Sequence, residues 1–90
     1  MEVGALQEAK VDAIQLIDAV AAAVLADSQL LEEGELQRIN EGVAALAAAL
    51  DAGTSTQVSD LTAALNKISG DFAARRMDEH IARALQGESI

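Results

Sequence analysis

The stretch VSDLTAALNKISGDF, residues 58–72, holds the pattern that decides the fold. Its large apolar residues recur in steps of 3, 4, 3 and 4, the spacing of one narrow helix face packed as in a coiled coil. A half-buried strand would instead place an apolar residue at every second position. The members of this seam are Val58, Leu61, Leu65, Ile68 and Phe72. The stretch therefore predicts a helix that buries one side.

Two further amphipathic helices are predicted before this one, from about Glu2 to Ala26 and from about Glu33 to Leu50. The predicted core residues of the first are Leu6, Ala13, Ile17, Val20 and Val24, and those of the second are Leu36, Ile39, Val43, Leu46 and Leu50. The connections at 27–34 and 51–56 are short, so neighbouring helices should run antiparallel. We expect an all-α fold, an antiparallel three-helix bundle that forms a single domain over residues 1–90.

The second connection, DAGTST at 51–56, contains the residue types that end one helix and begin the next. Gly53 suits a left-handed C-cap because glycine has no Cβ to oppose that conformation. Ser55 or Thr56 is expected to cap the third helix with its hydroxyl oxygen.

The seam of the third helix fails after Phe72, because the next positions are Arg75 and Arg76. A new apolar stripe, rotated by roughly 150°, comprises Met77, Ile81 and Leu85. Gly70, a weak helix former, lies just before the change. The sequence leaves two arrangements open: a third helix bent or split near Gly70, or a straight helix whose far end faces a different partner. In either case the new stripe is a possible interface.

Composition and charge exclude several classes of function. The chain has 90 residues and a net charge of −9, and its first 60 residues hold eleven acids against two basic residues. Such a field repels phosphate backbones, so we expect no nucleic-acid partner. The longest apolar run, Ala19 to Ala26, is far shorter than the roughly 20 residues of a membrane span. The acidic N-terminus does not resemble a secretory signal, and we expect a soluble, cytoplasmic domain with no membrane partner.

The chemically distinctive side chains predict no catalytic, cofactor or metal site in this chain. His80 lies on neither apolar stripe, and there is no second histidine and no cysteine to complete a metal site. We interpret His80 as a solvated surface residue. The pairs Asp71–Arg75 and Glu79–Arg83 have the favourable acid-first spacing of four residues, which predicts intrahelical salt bridges. The chain is therefore not expected to be an enzyme.

A minor alternative rests on ADSQLL at 26–31, where an Asp-Ser pair lies between the first two helices of a small acidic bundle. Acyl-carrier proteins have a similar layout, with phosphopantetheine on the serine of an Asp-Ser-Leu triplet. Gln29 replaces that leucine here, and Asp-Ser pairs are common turn formers. Modification at Ser28 remains open at this point.

Four stretches together resemble one family. They are LQEAKVDAIQLIDAVAAAVLAD (6–27), LLEEGELQRINEGVAALAAAL (30–50), LTAALNKISGDFAARRMD (61–78) and DFAARRMDEHIARALQGES (71–89). They are similar to the C-terminal helical lid of the seventy-kilodalton heat-shock chaperones, in the HscA-like branch dedicated to iron–sulfur cluster assembly. The arginine pair after DFAA is the most specific element of the resemblance.

The resemblance implies that the chain is a fragment of a larger ATP-dependent chaperone, since the family's ATPase domain and substrate-binding β-sandwich are absent. In the parent, ATP and magnesium would bind the missing ATPase domain, and the lid would close over a peptide held in the β-sandwich domain. The implied partners are that β-sandwich domain, the iron–sulfur scaffold protein and a J-type co-chaperone. The alternative is an autonomous acidic adaptor or dimerisation module, and the isolated fragment is a possible homodimer through the stripe of Met77, Ile81 and Leu85.

Overall fold

The computed structural model describes residues 2–88, and side chains from residue 4 to residue 87. Its elements are α1 (Glu2–Asp27), a short 3-10 helix (Ser28–Leu30), α2 (Glu35–Ala52), α3 (Ser55–Ile68) and α4 (Gly70–Glu88). No strand occurs among residues 2–88, so the all-α prediction is confirmed. None of the helices in this range is long and apolar enough to cross a membrane. The molecule is elongated, with principal extents of 56 × 27 × 17 Å.

Two clusters of buried side chains form the core. The first consists of Ala9, Ala13, Leu46, Val58 and Leu65, and the second of Val20, Ala23, Ile39 and Phe72. The first joins the early part of α1 to the late part of α2, and the second joins the late part of α1 to the early part of α2. This order is the one that antiparallel neighbours produce. Alanines supply most of the buried residues of α1, and their small side chains let the other helices approach closely.

The remaining predicted core residues lie at the edges of these clusters. They are partly buried and pack against them: Leu6, Ile17, Val24, Val43, Leu50, Leu61 and Ile68. The alternating steps of three and four thus identify the inward face of α3 along its whole length.

Leu36 is a correction, because its side chain is 41% exposed although the spacing placed it in the core. The inward position in the first turn of α2 belongs to Glu35, whose carboxylate is buried against Arg75 of α4. Successive residues of a helix point about 100° apart, so burying Glu35 turns Leu36 outward. The helix also begins at Glu35, two residues later than predicted.

The caps differ from those predicted. Gly53 is extended, with φ −80° and ψ 158°, and the glycine with positive φ is Gly34 at φ 78°. Thr54, rather than either of the next two residues, caps α3 in a capping box with Gln57. The Gln57 amide donates to Thr54 Oγ1 at 3.2 Å, and the Thr54 amide donates to Gln57 Oε1 at 2.9 Å. Two donors at the start of the helix are satisfied in this way.

The third predicted helix is split, so the first of the two arrangements left open is correct. α3 ends at Ile68, and α4 begins at Gly70. The intervening Ser69 is buried, and both its amide and its hydroxyl donate to the carbonyl oxygen of Leu65 at 2.9 Å. A serine hydroxyl that bonds back to the preceding turn commonly bends a helix, and this contact marks the break.

Candidate functional site

A cluster of charged side chains lies where α4 meets the connection between α1 and α2. We call it the junction cluster, and its members are Asp27, Glu35, Arg75, Arg76 and His80. Asp27 is the last residue of α1 and Glu35 the first of α2, and they are 2% and 3% exposed. A buried carboxylate is costly unless it is paired and hydrogen-bonded, so these two positions require cations.

Arg76 and His80, one turn apart on α4, both contact Asp27. Asp27 Oδ2 accepts a hydrogen bond from Arg76 Nε at 2.8 Å and lies 2.9 Å from His80 Nε2. The hydrogen bond from Arg76 is the main reason that the pKa of Asp27 is lowered from its ordinary value. Burial opposes this effect, and the contact with His80 adds to it. Asp27 is therefore held as an anion.

Arg75 binds the connection and the first residue of α2, with three contacts in all. Its guanidinium pairs with the Glu35 carboxylate, its Nε donates to the carbonyl oxygen of Leu30 at 2.9 Å, and its Nη1 lies 3.8 Å from Glu32 Oε1. Glu35 Oε1 also accepts a hydrogen bond from the Glu32 amide at 3.0 Å.

The environment of this pair favours its charged form. Burial raises the pKa of Glu35, but the hydrogen bonds from Arg75 and from the Glu32 amide outweigh it, and the pKa is lowered overall. The hydrogen bond to Glu35 is likewise the main reason that the pKa of Arg75 is raised. The planar guanidinium suits such a site because its donors point in several fixed directions.

The junction cluster fixes the direction of α4 relative to the bundle. The contacts of Arg75 with Glu35, Arg76 with Asp27 and His80 with Asp27 join residues 40, 49 and 53 positions apart. Among the described residues, no buried side-chain nitrogen or oxygen lacks a hydrogen-bond partner. The buried polar atoms of the cluster thus all have hydrogen-bond partners. A buried polar network that is satisfied in this way favours a single packing arrangement of the helices that it joins.

These contacts bear on three predictions. The predicted intrahelical salt bridge between Asp71 and Arg75 is wrong, because the Arg75 guanidinium bonds with Glu35 and Leu30 instead. His80 is exposed, as its interpretation as a solvated surface residue predicts, but its contact with Asp27 was not predicted. The pair Glu79–Arg83 is confirmed, with Arg83 Nε 3.1 Å from Glu79 Oε1.

The sequence contained a signal for the junction cluster that local rules missed. Asp27 follows Val20 by seven residues and therefore lies on the inward face of α1. Glu35 precedes Ile39 by four and lies on the inward face of α2. An acid at a core position needs a cation from elsewhere in the chain.

The described residues offer no evident site for a metal ion. No group of three histidine, cysteine, aspartate or glutamate side chains within the described range is arranged to hold one. In the junction cluster the arginines and carboxylates bind one another. Ser28, the possible attachment point for phosphopantetheine, is exposed in the 3-10 helix, and its modification stays a prediction.

The predicted interface stripe of α4 lies at the surface. Met77, Ile81 and Leu85 are 64%, 52% and 60% exposed. Every residue from 81 to 87 is exposed, so the far end of α4 extends beyond the bundle. Whether the stripe forms an interface stays a prediction.

The comparisons with known proteins identify related chaperones. The chaperone protein HscA homolog of Laribacter hongkongensis is 47% identical over 85 residues, 94% of this chain. The HscA homologs of Chromobacterium violaceum and of Neisseria meningitidis serogroup B are 42% and 43% identical over all 90 residues. The chain spans only 14% of the length of each of these relatives. No family model and no solved structure matches it. Over its whole length the chain thus matches a segment of the HscA chaperones, the branch of the seventy-kilodalton heat-shock family that its sequence predicts.

Proposed function

We propose that the chain is the distal part of the helical lid of an HscA-like, ATP-dependent chaperone that assists iron–sulfur cluster assembly. The observation that supports this proposal best is its identity of 42–43% with two HscA homologs over all 90 residues. Because the chain spans 14% of those proteins, nucleotide binding and peptide binding would belong to the rest of a longer polypeptide. In that polypeptide, hydrolysis of magnesium-bound ATP, stimulated by a J-type co-chaperone, would close the lid over a peptide of the scaffold protein.

The role of this segment within the lid is mechanical rather than catalytic. A lid transmits the closing motion only if its parts move together. The two core clusters tie the four helices to one another, with Phe72 of α4 in the second, and the junction cluster also ties α4 to the connection between α1 and α2. We therefore propose that the segment moves as one body and lengthens the lifetime of the closed, peptide-bound state in the cytoplasm.

A chimera tests this function. In the full-length Laribacter hongkongensis HscA homolog, the matching 85 residues are either deleted or replaced by this chain. Release of a fluorescent peptide from the scaffold protein is then followed in ADP by stopped flow. We expect the deletion to accelerate release several-fold and the chimera to restore slow release. The basal ATPase rate serves as a control for the integrity of the remaining domains.

The lid function is rejected if the chimera releases peptide as fast as the deletion variant while its thermal unfolding shows that the inserted bundle is folded. Equal release rates for the intact protein and the deletion variant would also reject it, because the segment would then contribute nothing to retention.

The second candidate function is that of an adaptor or dimerisation module, which the exposed stripe of Met77, Ile81 and Leu85 favours. In this case Met77→Glu should dissociate an oligomer without loss of helicity. The matched change Ala63→Glu, at an exposed position of α3, should leave the oligomer intact. Light scattering that finds only monomer at high concentration would exclude self-association as the function of this chain.

A further inference from the structure

Helix α1 is apolar on two opposite sides, and the bundle covers only one of them. The inward side carries the buried residues Ala9, Ala13, Val20 and Ala23. On the opposite side, Val11, Ile14 and Leu25 are 52%, 48% and 87% exposed. A helix that is apolar all round is ordinarily covered on both sides.

The exposed residues continue in regular steps of three and four along the helix. The positions are Gly4, Gln7, Val11, Ile14, Asp18, Ala21 and Leu25, which we call the outer face of α1. They are all exposed. The outward side of α2 has a single large apolar side chain, Leu36, and none of the exposed large apolar residues belongs to α3. The row of exposed apolar side chains on α1 therefore has no counterpart on α2 or α3.

The outer face of α1 is long enough to pair with a helix. From Gly4 to Leu25 it extends over about 32 Å, at 1.5 Å per residue, which corresponds to three heptads of a coiled-coil seam. The stripe of α4 from Met77 to Leu85 covers only about 12 Å by the same measure. The outer face of α1 thus offers a longer surface for pairing with another helix than the stripe of α4 does.

The charges around the outer face of α1 indicate the kind of partner. Asp18 interrupts the seam, Glu8 lies along one edge of it, and Lys10, the only basic residue of α1, lies along the other edge. The chain as a whole carries a net charge of −9. A second copy would bring these acids together, and like charges at close range oppose association. Lysines and arginines on a partner would be attracted to them.

We propose that the outer face of α1 docks an amphipathic helix of another protein, with apolar residues at steps of three and four and with flanking lysines or arginines. A basic side chain of that helix faces Asp18, and its apolar residues pack on Val11, Ile14 and Leu25. This is the helix-in-groove type of recognition, read by anchors spaced along one face. The inference goes beyond the proposed lid function and does not depend on it.

Binding of a designed probe to the 90-residue chain tests the docking face. The probe is a fluorescein-labelled three-heptad peptide with leucine and isoleucine at the seam positions and lysine at the flanking ones. We expect saturable binding by fluorescence anisotropy and a loss of at least about tenfold in affinity in the variant Ile14→Glu. The matched control Ile81→Glu replaces an equally exposed isoleucine on α4 and should leave the affinity within about twofold.

A second pair of variants isolates the charge. Asp18→Asn should weaken binding several-fold at low salt and less at physiological salt, because exposed charges are screened. Asp60→Asn removes an exposed carboxylate from α3 and should have little effect. Circular dichroism establishes that each variant retains its helices.

Several results would overturn the proposal. One is the absence of binding, and another is equal binding of a peptide with the same composition but with its apolar residues scattered around the helix. An equal loss of affinity in Ile14→Glu and Ile81→Glu would show that the contact is not confined to α1. Finally, if the chain alone forms dimers that Ile14→Glu dissociates, the occupant of the outer face is a second copy and not a basic helix.

Discussion

Arg76 and Arg83 lie on the same helix but form ion pairs in different surroundings. Arg76 meets the buried carboxylate of Asp27, whereas both members of the Glu79–Arg83 pair are exposed. Removing one partner of a buried pair leaves an uncompensated charge, but an exposed pair contributes little. We expect Arg76→Ala to lower the Tm by about 5 °C or more, and Arg83→Ala by less than about 2 °C. Thermal unfolding by circular dichroism measures both, and equal shifts would contradict the assignment.

The two buried carboxylates make the stability depend on acidity. The pKa values of Asp27 and Glu35 are lowered in the folded state from ordinary values of 3.8 and 4.5. The unfolded chain therefore takes up protons first as the pH falls. The stabilisation is complete above about pH 5 and is lost as the pH falls through the ordinary values towards the lower folded ones.

Urea unfolding at pH 7, 5, 4 and 3 tests this dependence, at a salt concentration that screens the general repulsion of an acidic chain. We expect the urea midpoint to fall as the pH drops below 5. Asp27→Asn should flatten the lower part of the profile, because one of the two titrating groups is gone. An identical midpoint at pH 4 and pH 7 in the unmodified chain would count against the role given to these carboxylates.

At the level of the helices, two glycines at element boundaries should respond oppositely to alanine. A Cβ at Gly70 meets nothing within 4 Å, whereas Gly34 has a φ of 78°. We expect Gly70→Ala to raise the free energy of unfolding by about 0.5–1 kcal/mol, because alanine is the better helix former. Gly34→Ala should lower it by about 1–2 kcal/mol, the cost of a left-handed conformation. Urea unfolding compares them, and a destabilising Gly70→Ala would mean that the break between α3 and α4 requires glycine.

The helices were predictable because each depends on a short-range pattern. Steps of three and four located α2 and α3. The combination of Gly70 with the failed seam marked where a break could occur, but it left open whether the helix breaks there. Spacing alone did not decide between Glu35 and Leu36, since one lies four residues and the other three residues before Ile39. The partner that decides it, Arg75, is 40 residues away.

The junction cluster escaped prediction for the same physical reason. Local rules favoured Asp71 as the partner of Arg75, at a spacing of four residues. In the folded chain, however, Arg75 reaches the carboxylate of Glu35, which is shielded from water and has few alternative partners. A rule based on the surface of an isolated helix cannot include a carboxylate supplied by another helix.

At the level of the whole molecule, stability depends on a few large side chains. The largest fully buried ones are Phe72, Ile39, Leu46, Leu65 and Val58. We expect Leu46→Ala to lower the free energy of unfolding by about 2–5 kcal/mol, through lost burial and a residual cavity. Leu85→Ala, on the exposed stripe, should change it by less than about 0.5 kcal/mol. Urea unfolding measures both, and a comparable loss in Leu85→Ala would show that α4 packs against another surface in solution.

Helix α1 ends with the acid Asp27 and has no basic residue in its last turn. The C-terminal end of a helix carries partial negative charge. The Asp27 carboxylate is therefore unfavourable at this end unless a cation lies nearby. The compensating cation, Arg76, belongs to α4, so the two helix ends depend on each other. The variant Arg76→Ala removes this cation but leaves Phe72 in the core, so it should keep the middle layers of the bundle and loosen the final turn of α1. Amide hydrogen exchange would then be faster near Asp27 and unchanged near Ala13. Helix α4 therefore supplies the positive charge that the C-terminal end of α1 lacks.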